Sequence, residues 1–570
     1  MMSNQVLSRL CFAVVVVLVT SATTVVLVEG LPILGMDLST CQPVTRITGD
    51  PLECCFVDTN EPIKDFQFNL DLPVRIRRPA HKLDEDLVRK YERAVSLMRA
   101  LPSEDPRSFE AQARLHCSYT GAYNQFSVSQ KFNTHRGWFF FPFHRWFLYF
   151  HERILASLIG DDTFAIPYWA WDVQNENNPA ANTIPFYYTD RNASLYHEKR
   201  SKIHQPPARV DLGQSSGVRP TTNKDPEMLL QGNYYNMWRD MIGQVPTPET
   251  FYGEKWSLGT DPDAVAFANF VTGLHRSVHQ WTGDDPFGED MGFPYSSGWD
   301  PIFYAHHVQI DRLWLMWKSW GGQDFDDPDW LDTEFLFFDE NADLVRVNVR
   351  DSLDIENFRV RYEQVYPDWL DFTPKSIRDI DPTYAQASTL KRLWRQLVDG
   401  VYTYSSIALA LGSFFQQDTN GTNIYIGGGR RGAMTRRSVA RPEVLRSNYD
   451  DSSFYDEVLV IHGVVEKPYD VSVLMKIFLE LPGADENTPQ HCVEFLGSVE
   501  VDAEGLRVGM DKTVVRKFAK VIGIRKALQI LDVTRQKFVT LTFVPAWDPK
   551  HDADVSVRVT DLKVEMRPTR

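Results

Sequence analysis

A mainly α chain, built as a helical bundle with a loop-rich surround and followed by a C-terminal β-sandwich-like domain, is the architecture these 570 residues predict. Three observations carry that expectation. Between residue 84 and about 320, apolar side chains recur at helical spacing, and the runs stop at Pro or Gly. In the last 115 or so residues, apolar and polar side chains alternate with the period of half-buried strands. Between the two regions the composition shifts, and GGGRRGAMTRRSVARPEV (427–444) is a Gly/Arg-rich stretch that reads as an exposed linker.

Taken in order, the expected divisions are a leader (1–30), an irregular arm (31–83), a helical domain (84–400), a linker region (401–455) and a β-domain (456–570). The leader, MMSNQVLSRLCFAVVVVLVTSATTVVLVEG, starts weakly basic and continues as a Val/Leu run, the pattern of a secretory signal peptide. A signal anchor is the alternative, because the run is nearly long enough to span a bilayer. Thr20, Ser21, Thr23 and Thr24 interrupt it and favour cleavage near Gly30. No later apolar run has spanning length, so no stable membrane span is expected after removal of the leader. This route implies an extracellular or vacuolar destination ahead of the plastid lumen.

Cysteine usage fits that route. Apart from Cys11 and Cys492, the cysteines (Cys41, Cys54, Cys55, Cys117) fall in one window and allow three pairings. Vicinal cysteines rarely bond to each other, so Cys54 and Cys55 reach separate partners and tie the Pro-rich arm onto the domain. The sequons at Asn192 and Asn420 fit glycosylation.

In the helical region, DEDLVRKYERAVSLMRALP (84–102) stops at Pro102, and SFEAQARLHCSYTG (108–121) stops at Gly121. A third helix is expected from Pro142, a favoured first residue, through HRWFLYFHERILASLIG. A fourth carries GLHRSVHQWTGD (273–284), and a fifth follows Asp300 and Pro301. Residues 172–235 are loop-rich. In the tail, DEVLVIHGVV, DVSVLMKIFLEL, KFVTLTFVPAW and DVSVRVTDLKVEM alternate as strands do. The formal charge of −16 and the lack of a basic stripe or phosphate-type glycine loop exclude a nucleic-acid partner.

The chemistry-bearing residues are histidines. His275 and His279 stand at i and i+4, neighbours on one helix face whose ring nitrogens can converge on one metal. Four of the other twelve complete two groups of three: His116, His135 and His144 in one, and His307 with the i,i+4 pair in the other. Helical bundles build dinuclear sites from facing helices, but the carboxylate-rich iron version needs Glu-x-x-His pairs that are missing here. An all-nitrogen donor set suits copper or zinc better than magnesium, calcium or manganese.

At this point the chain resembles the plant polyphenol oxidases of the catechol oxidase/tyrosinase family. HRGWFFFPFHRWFLYF (135–150), IPYWAWD (166–172), HRSVHQWTGD (275–284), DPIFYAHHVQIDRLW (300–314) and DPDWLDTEFLFFDEN (327–341) carry the resemblance over roughly 40–375, more weakly in the tail. It implies two copper ions per chain, one held by His116, His135 and His144 and the other by His275, His279 and His307, with His306 left to support them. It further implies oxidation of o-diphenols to o-quinones by O2, disulfides Cys41–Cys55 and Cys54–Cys117, and a C-terminal domain that covers the site until a protease cuts the linker. Asp311, one turn after His307, is positioned to orient an adjacent ring, a common task beside a metal; a surface salt bridge with Arg312 or a neighbour is the alternative.

Several positions depart from the family's pattern. Thr120 stands where a cysteine is usual, and the phenylalanine over the second copper falls at Pro294, with Phe293 beside it. A glutamate that prepares monophenols for hydroxylation is replaced by Val271, so that activity is expected to be weak or absent. Arg276 follows the fourth histidine, with Asp284 or Asp285 as expected partners unless a carboxylate-bearing substrate takes that role. His151 occupies a position commonly tyrosine. Two rivals stand beside the oxidase: a non-catalytic dicopper protein that binds O2 or phenols, and a dizinc hydrolase working through bound water.

Overall fold

The computed structural model describes residues 30–57, 62–174, 177–178, 180–214, 225–284, 288–381, 424–426, 435–442, 455–502, 513–547 and 554–569. Residues 1–29 of the leader, Asp285, Asn420, Arg430 and Arg431 lie outside the described residues.

Local signals set the helices. Helix α1 (Glu85–Ala100) begins where the Asp84 carboxylate accepts the Leu87 amide, with Glu85 and Asp86 in its first turn and Arg99 in its last, all favourable to the helix dipole. Helix α2 (Phe109–Ser118) is capped by Ser108 on the Ala111 amide. It stops short of Gly121, because strand β1 (Thr120–Gln125) follows at once and pairs with β2 (Lys131–Asn133). Helix α3 (Phe140–Ile159) starts two residues before Pro142 and ends at Gly160, whose φ of 65° closes the last turn. Every residue from Phe140 to Ala156 is buried, so α3 is the central rod, packed between α1 and a later helix. Helix α4 (Pro226–Trp238) begins inside the stretch 172–235 expected to be mostly loop and runs three residues past its end. Helix α5 (Arg276–Thr282) follows a π-helical segment, Val271–His275. Helix α6 (Ile302–Ser319) packs on α3; the Asp300 carboxylate accepts the Ile302 amide and Arg200 Nε and Nη2 at its start.

The arm is pinned by Cys41–Cys55 and Cys54–Cys117, with Cα separations of 5.8 and 5.2 Å. The second bridge closes a span of 63 residues. In the chain-entropy picture that is worth about 4 kcal/mol, and it fixes the turn of α2 next to His116.

The C-terminal part consists of two four-stranded antiparallel sheets. One orders β3 (Ile424–Ile426), β10 (Ser556–Pro568), β5 (Tyr455–Pro468) and β8 (Thr513–Gly523); the other orders β4 (Thr435–Ala440), β9 (Phe538–Pro545), β6 (Val473–Leu479) and β7 (Phe495–Val501). Leu459, Ile461, Ile477, Phe478, Leu541 and Val557 belong to their shared core, and so do Tyr235 and Trp238 of α4. The domain is therefore docked through continuous apolar packing.

Two expectations need correction. "Mainly α" describes only the histidine-bearing part, since the described C-terminal residues form two four-stranded sheets. The linker reading fails for residues 435–442. Thr435–Ala440 pairs along its whole length with β9, and Arg441 is buried against both oxygens of Glu457. Arg436 and Arg437 thus sit in a hydrogen-bonded strand. No helix among the described residues is long and apolar enough to cross a membrane.

Candidate metal centre

Each element delivers its histidines to one point. His116 comes from the last turn of α2, His144 from the second turn of α3, and His135 from the turn after β2, where its amide bonds the Asn133 side chain. Their ring centroids lie 5.0–5.4 Å apart, and the Nε2 atoms of His116 and His144 are separated by 3.3 Å. His275 and His279 flank the start of α5, and His307 comes from α6. Those centroids are 4.4–5.4 Å apart, with His279 Nε2 and His307 Nε2 at 3.2 Å. The groups adjoin, since the rings of His144 and His307 stack at 4.2 Å. Phe303 wedges between them, 4.6 Å from His116 and 4.2 Å from His307.

The hydrogen bonds decide which nitrogens are free. His144, His275 and His279 donate Nδ1–H to the carbonyls of Phe140, Val271 and Met291, which leaves each Nε2 lone pair facing inward. In all six rings at least one nitrogen is either buried without a partner or faces another imidazole nitrogen. Burial and neighbouring imidazoles hold His116, His144, His275 and His307 well below the usual histidine range; burial first brings His135 to about 3 and His279 to about 4. The rings are thus neutral near neutral pH, the form that binds a metal. The residues fit a pair of copper ions.

His306 lies with the second group, but Trp171 Nε1 donates to its Nδ1 at 3.0 Å. A neutral ring that accepts at Nδ1 carries its proton on Nε2, so His306 has no lone pair left for a metal and its neighbour His307 does.

Other expected residues fall differently. Asp311 touches no histidine by hydrogen bond; it accepts from Arg145 Nε, Arg77 Nη1 and the Tyr362 hydroxyl, while Arg312 pairs with Asp172. Both the ring-orienting role and the Arg312 bridge are corrected: three buried donors converge on Asp311 and consume its oxygens. His151 is stacked 3.6 Å from Tyr304 and lowered to about 3 by burial, away from the cavity. Thr120 donates its hydroxyl to the Cys117 carbonyl and has no sulfur to cross-link. Phe293 stacks on Tyr295 and is not part of the cavity wall, which Pro294 lines together with Phe267.

That cavity, of about 110 Å³, is lined by His135, Val271, His275, His279, Pro294 and Asp502 among others. Asp502 belongs to the β-domain. It and Glu500 pair with Arg276, which overturns Asp284 as the partner; Asp285 lies outside the described residues. No local pattern in FLGSVEVD (495–502) announces this contact, because its partner stands 226 residues earlier. Phe303 and Trp171, also missed, lie within motifs already singled out.

Comparison with known proteins agrees with this geometry. Residues 106–319 match the common central domain of tyrosinase, 324–375 the polyphenol oxidase middle domain, and 432–566 the chloroplastic polyphenol oxidase C-terminal domain. The chain is 35% identical to a chloroplastic polyphenol oxidase of Malus domestica, covering 94% of this chain and 84% of that one. It is 34% identical to an aureusidin synthase of Antirrhinum majus, covering 94% and 89%. The solved structure of a latent aurone synthase (polyphenol oxidase) from natural source superposes with a TM-score of 0.76 at 29% identity, over 95% of this chain and 100% of that one. The recurrence of "chloroplastic" in the names of relatives and in the matched C-terminal domain overturns the extracellular or vacuolar destination read from the leader. An apolar Val/Leu run by itself does not identify the membrane it is addressed to. With two imidazole triplets side by side and the family's three domains in order, the chain belongs to the plant polyphenol oxidase (tyrosinase) family, copper-dependent oxidoreductases with a dinuclear copper site.

Proposed function

We propose that the chain is a plastid catechol oxidase. In this reading His116, His135 and His144 hold one copper, and His275, His279 and His307 hold the other. Two o-diphenols and one O2 give two o-quinones and two waters. Copper supplies the transfer of electrons from the diphenol to O2. The observation that carries the reading is the pair of buried histidine triplets, each with ring nitrogens close enough together to share one metal ion.

The chain's own residues do the rest. Carbonyls at 140, 271 and 291 orient three of the rings. Phe303 and Phe140, edge-on to His275 at 4.6 Å, keep water from the metals. Among the described residues lining the cavity, Asp502 is the single carboxylate, and it is engaged by Arg276. Val271 offers no base for a phenol proton, so monophenol hydroxylation is weak or absent.

Residues 84–400 form the catalytic domain in this account, and 456–570 a cover whose Asp502 reaches the cavity wall. A single cut at Arg430 or Arg431, followed by separation of the fragments, should raise catechol turnover several-fold in an oxygen-electrode assay. Unchanged turnover after clean separation would mean that the tail is no cover.

Removal of the cover frees Arg276 from Asp502 and Glu500. Its guanidinium stays charged, and a substrate carboxylate about 6 Å away would gain roughly 1–3 kcal/mol at an effective dielectric near 20. Carboxylated catechols should therefore be preferred over neutral ones by the cover-free enzyme. Arg276→Leu should remove that preference, mainly through a higher KM. Equal kcat/KM ratios in parent and variant would make Arg276 a latch for the cover and nothing more.

A further inference from the structure

The segment that delivers His275 is irregular, and its irregularity has a cause outside the segment. Val271–His275 is π-helical, and Gly273 within it leaves helical geometry altogether at φ −95°, ψ −106°. Widened turns of this kind are rare inside helices and concentrate at functional sites. Here the turn is filled by one side chain. Asp240, only 1% exposed, reaches from the π-turn Arg239–Gly243 at the end of α4, and its Oδ2 accepts the Leu274 amide at 3.2 Å. The same carboxylate takes Arg239 Nε on Oδ1 at 2.6 Å and Arg239 Nη2 on Oδ2 at 3.0 Å.

Asp240 presses so closely on the backbone that no side chain fits at 273. A Cβ on Gly273 would lie 1.9 Å from Asp240 Oδ2 and 3.1 Å from Arg239 Nη2. The glycine is therefore required by the carboxylate. The carboxylate in turn is fixed by a guanidinium that is itself buried against the β-domain, 5.6 Å from the Phe495 ring. One residue after the amide that Asp240 holds stands His275, whose Nδ1 is aimed by the Val271 carbonyl of the same turn.

We propose that Asp240 is a positioning residue for the second copper: by holding the Leu274 amide and the Gly273 backbone it sets the turn that aims His275 Nε2 at the metal. The inference rests on His275 being a ligand. The hydrogen bond is charge-assisted and its carboxylate is buried, so it is among the stronger kinds. Groups that orient a metal ligand in this indirect way typically change affinity by about 10–100-fold when removed.

Asp240→Asn tests it with little change of shape. Three donor hydrogens meet the two carboxylate oxygens, and an amide has only one acceptor oxygen, so either Arg239 Nε loses its acceptor or Leu274 and Arg239 Nη2 both do, and the bond to Leu274 loses its charge in either case. Gly273→Ala is the second variant; it keeps both Asp240 and Arg239 in the sequence but drives a methyl group into the place of Oδ2. Both are prepared as the copper-loaded full chain and challenged with a chelator while metal content and the electron paramagnetic resonance signal are followed. A coupled pair of Cu(II) ions is silent in that measurement, whereas a lone Cu(II) is visible. The expected result is that one copper leaves at least about tenfold faster than in the parent, with a lone-copper signal appearing as it goes. Amide exchange at 271–276 in the metal-free variants should rise as well, a readout that owes nothing to activity.

Retention of both coppers at parental rates in both variants would overturn the inference. So would loss of both coppers together in both, which is what a general packing role gives. His275→Ala run in parallel separates the two levels. If it keeps both coppers, the ligand assignment itself fails; if it loses one while Asp240→Asn and Gly273→Ala do not, only the role of Asp240 fails.

Discussion

Replacing His279 with alanine is expected to lower the metal content from two coppers per chain to one and to abolish catechol turnover. The His279 ring is aimed from both ends: Nδ1 donates to the Met291 carbonyl at 2.6 Å, and Nε2 stands 3.2 Å from His307 Nε2. Its loss leaves two imidazoles at the second site, and the neighbouring His306 cannot replace it, since its Nδ1 is already engaged by Trp171. Oxidation of a diphenol removes two electrons, which one copper cycling between Cu(I) and Cu(II) cannot accept alone. Metal analysis and oxygen uptake on the same preparation check both halves of the expectation. Two coppers and full turnover in the variant would refute the assignment of His279.

The second large effect concerns monophenols. A phenol has an unperturbed pKa near 10 and must lose its proton before it can coordinate as phenolate. Val271 presents a buried methyl face to the cavity where a carboxylate would serve as base. General-base assistance is commonly worth about 10²–10⁴-fold, so diphenol oxidation should exceed monophenol hydroxylation by that order in the cover-free enzyme. Val271→Glu should raise hydroxylation by tenfold or more while diphenol turnover changes little. Hydroxylation by the parent at rates comparable to catechol oxidation would show that another group takes the proton. His151 is not that group, because it lies stacked against Tyr304.

Much of the site was legible because its determinants are local. The i,i+4 spacing of His275 and His279, and the Asp300–Pro301 start of α6, write ligand placement into short stretches of sequence. Pro142 and Gly160 bracket the third helix in the sequence, but the burial of Arg145, Glu152 and Arg153 along with its apolar residues depends on partners elsewhere in the chain. What stayed hidden depends on distant partners. Asp311 looked free to serve a histidine because nothing near it in sequence reveals that Arg77 and Arg145 claim it. Arg276 likewise finds Glu500 and Asp502 across a domain boundary. The stretch 435–440 resembles a linker by composition, yet it pairs as a strand because β9 offers it an edge. Gly273 passed unnoticed, since only the approach of Asp240 explains it.

The central claim is that two neutral imidazole triplets make one copper pair that passes electrons from catechols to O2. Metal analysis of the cover-free chain, combined with oxygen uptake during oxidation of a plain catechol, addresses it directly. The account predicts two coppers per chain, no stoichiometric zinc, and one O2 consumed for every two quinones formed. Stoichiometric zinc, or two coppers with no oxygen consumed by the uncovered site, would contradict it.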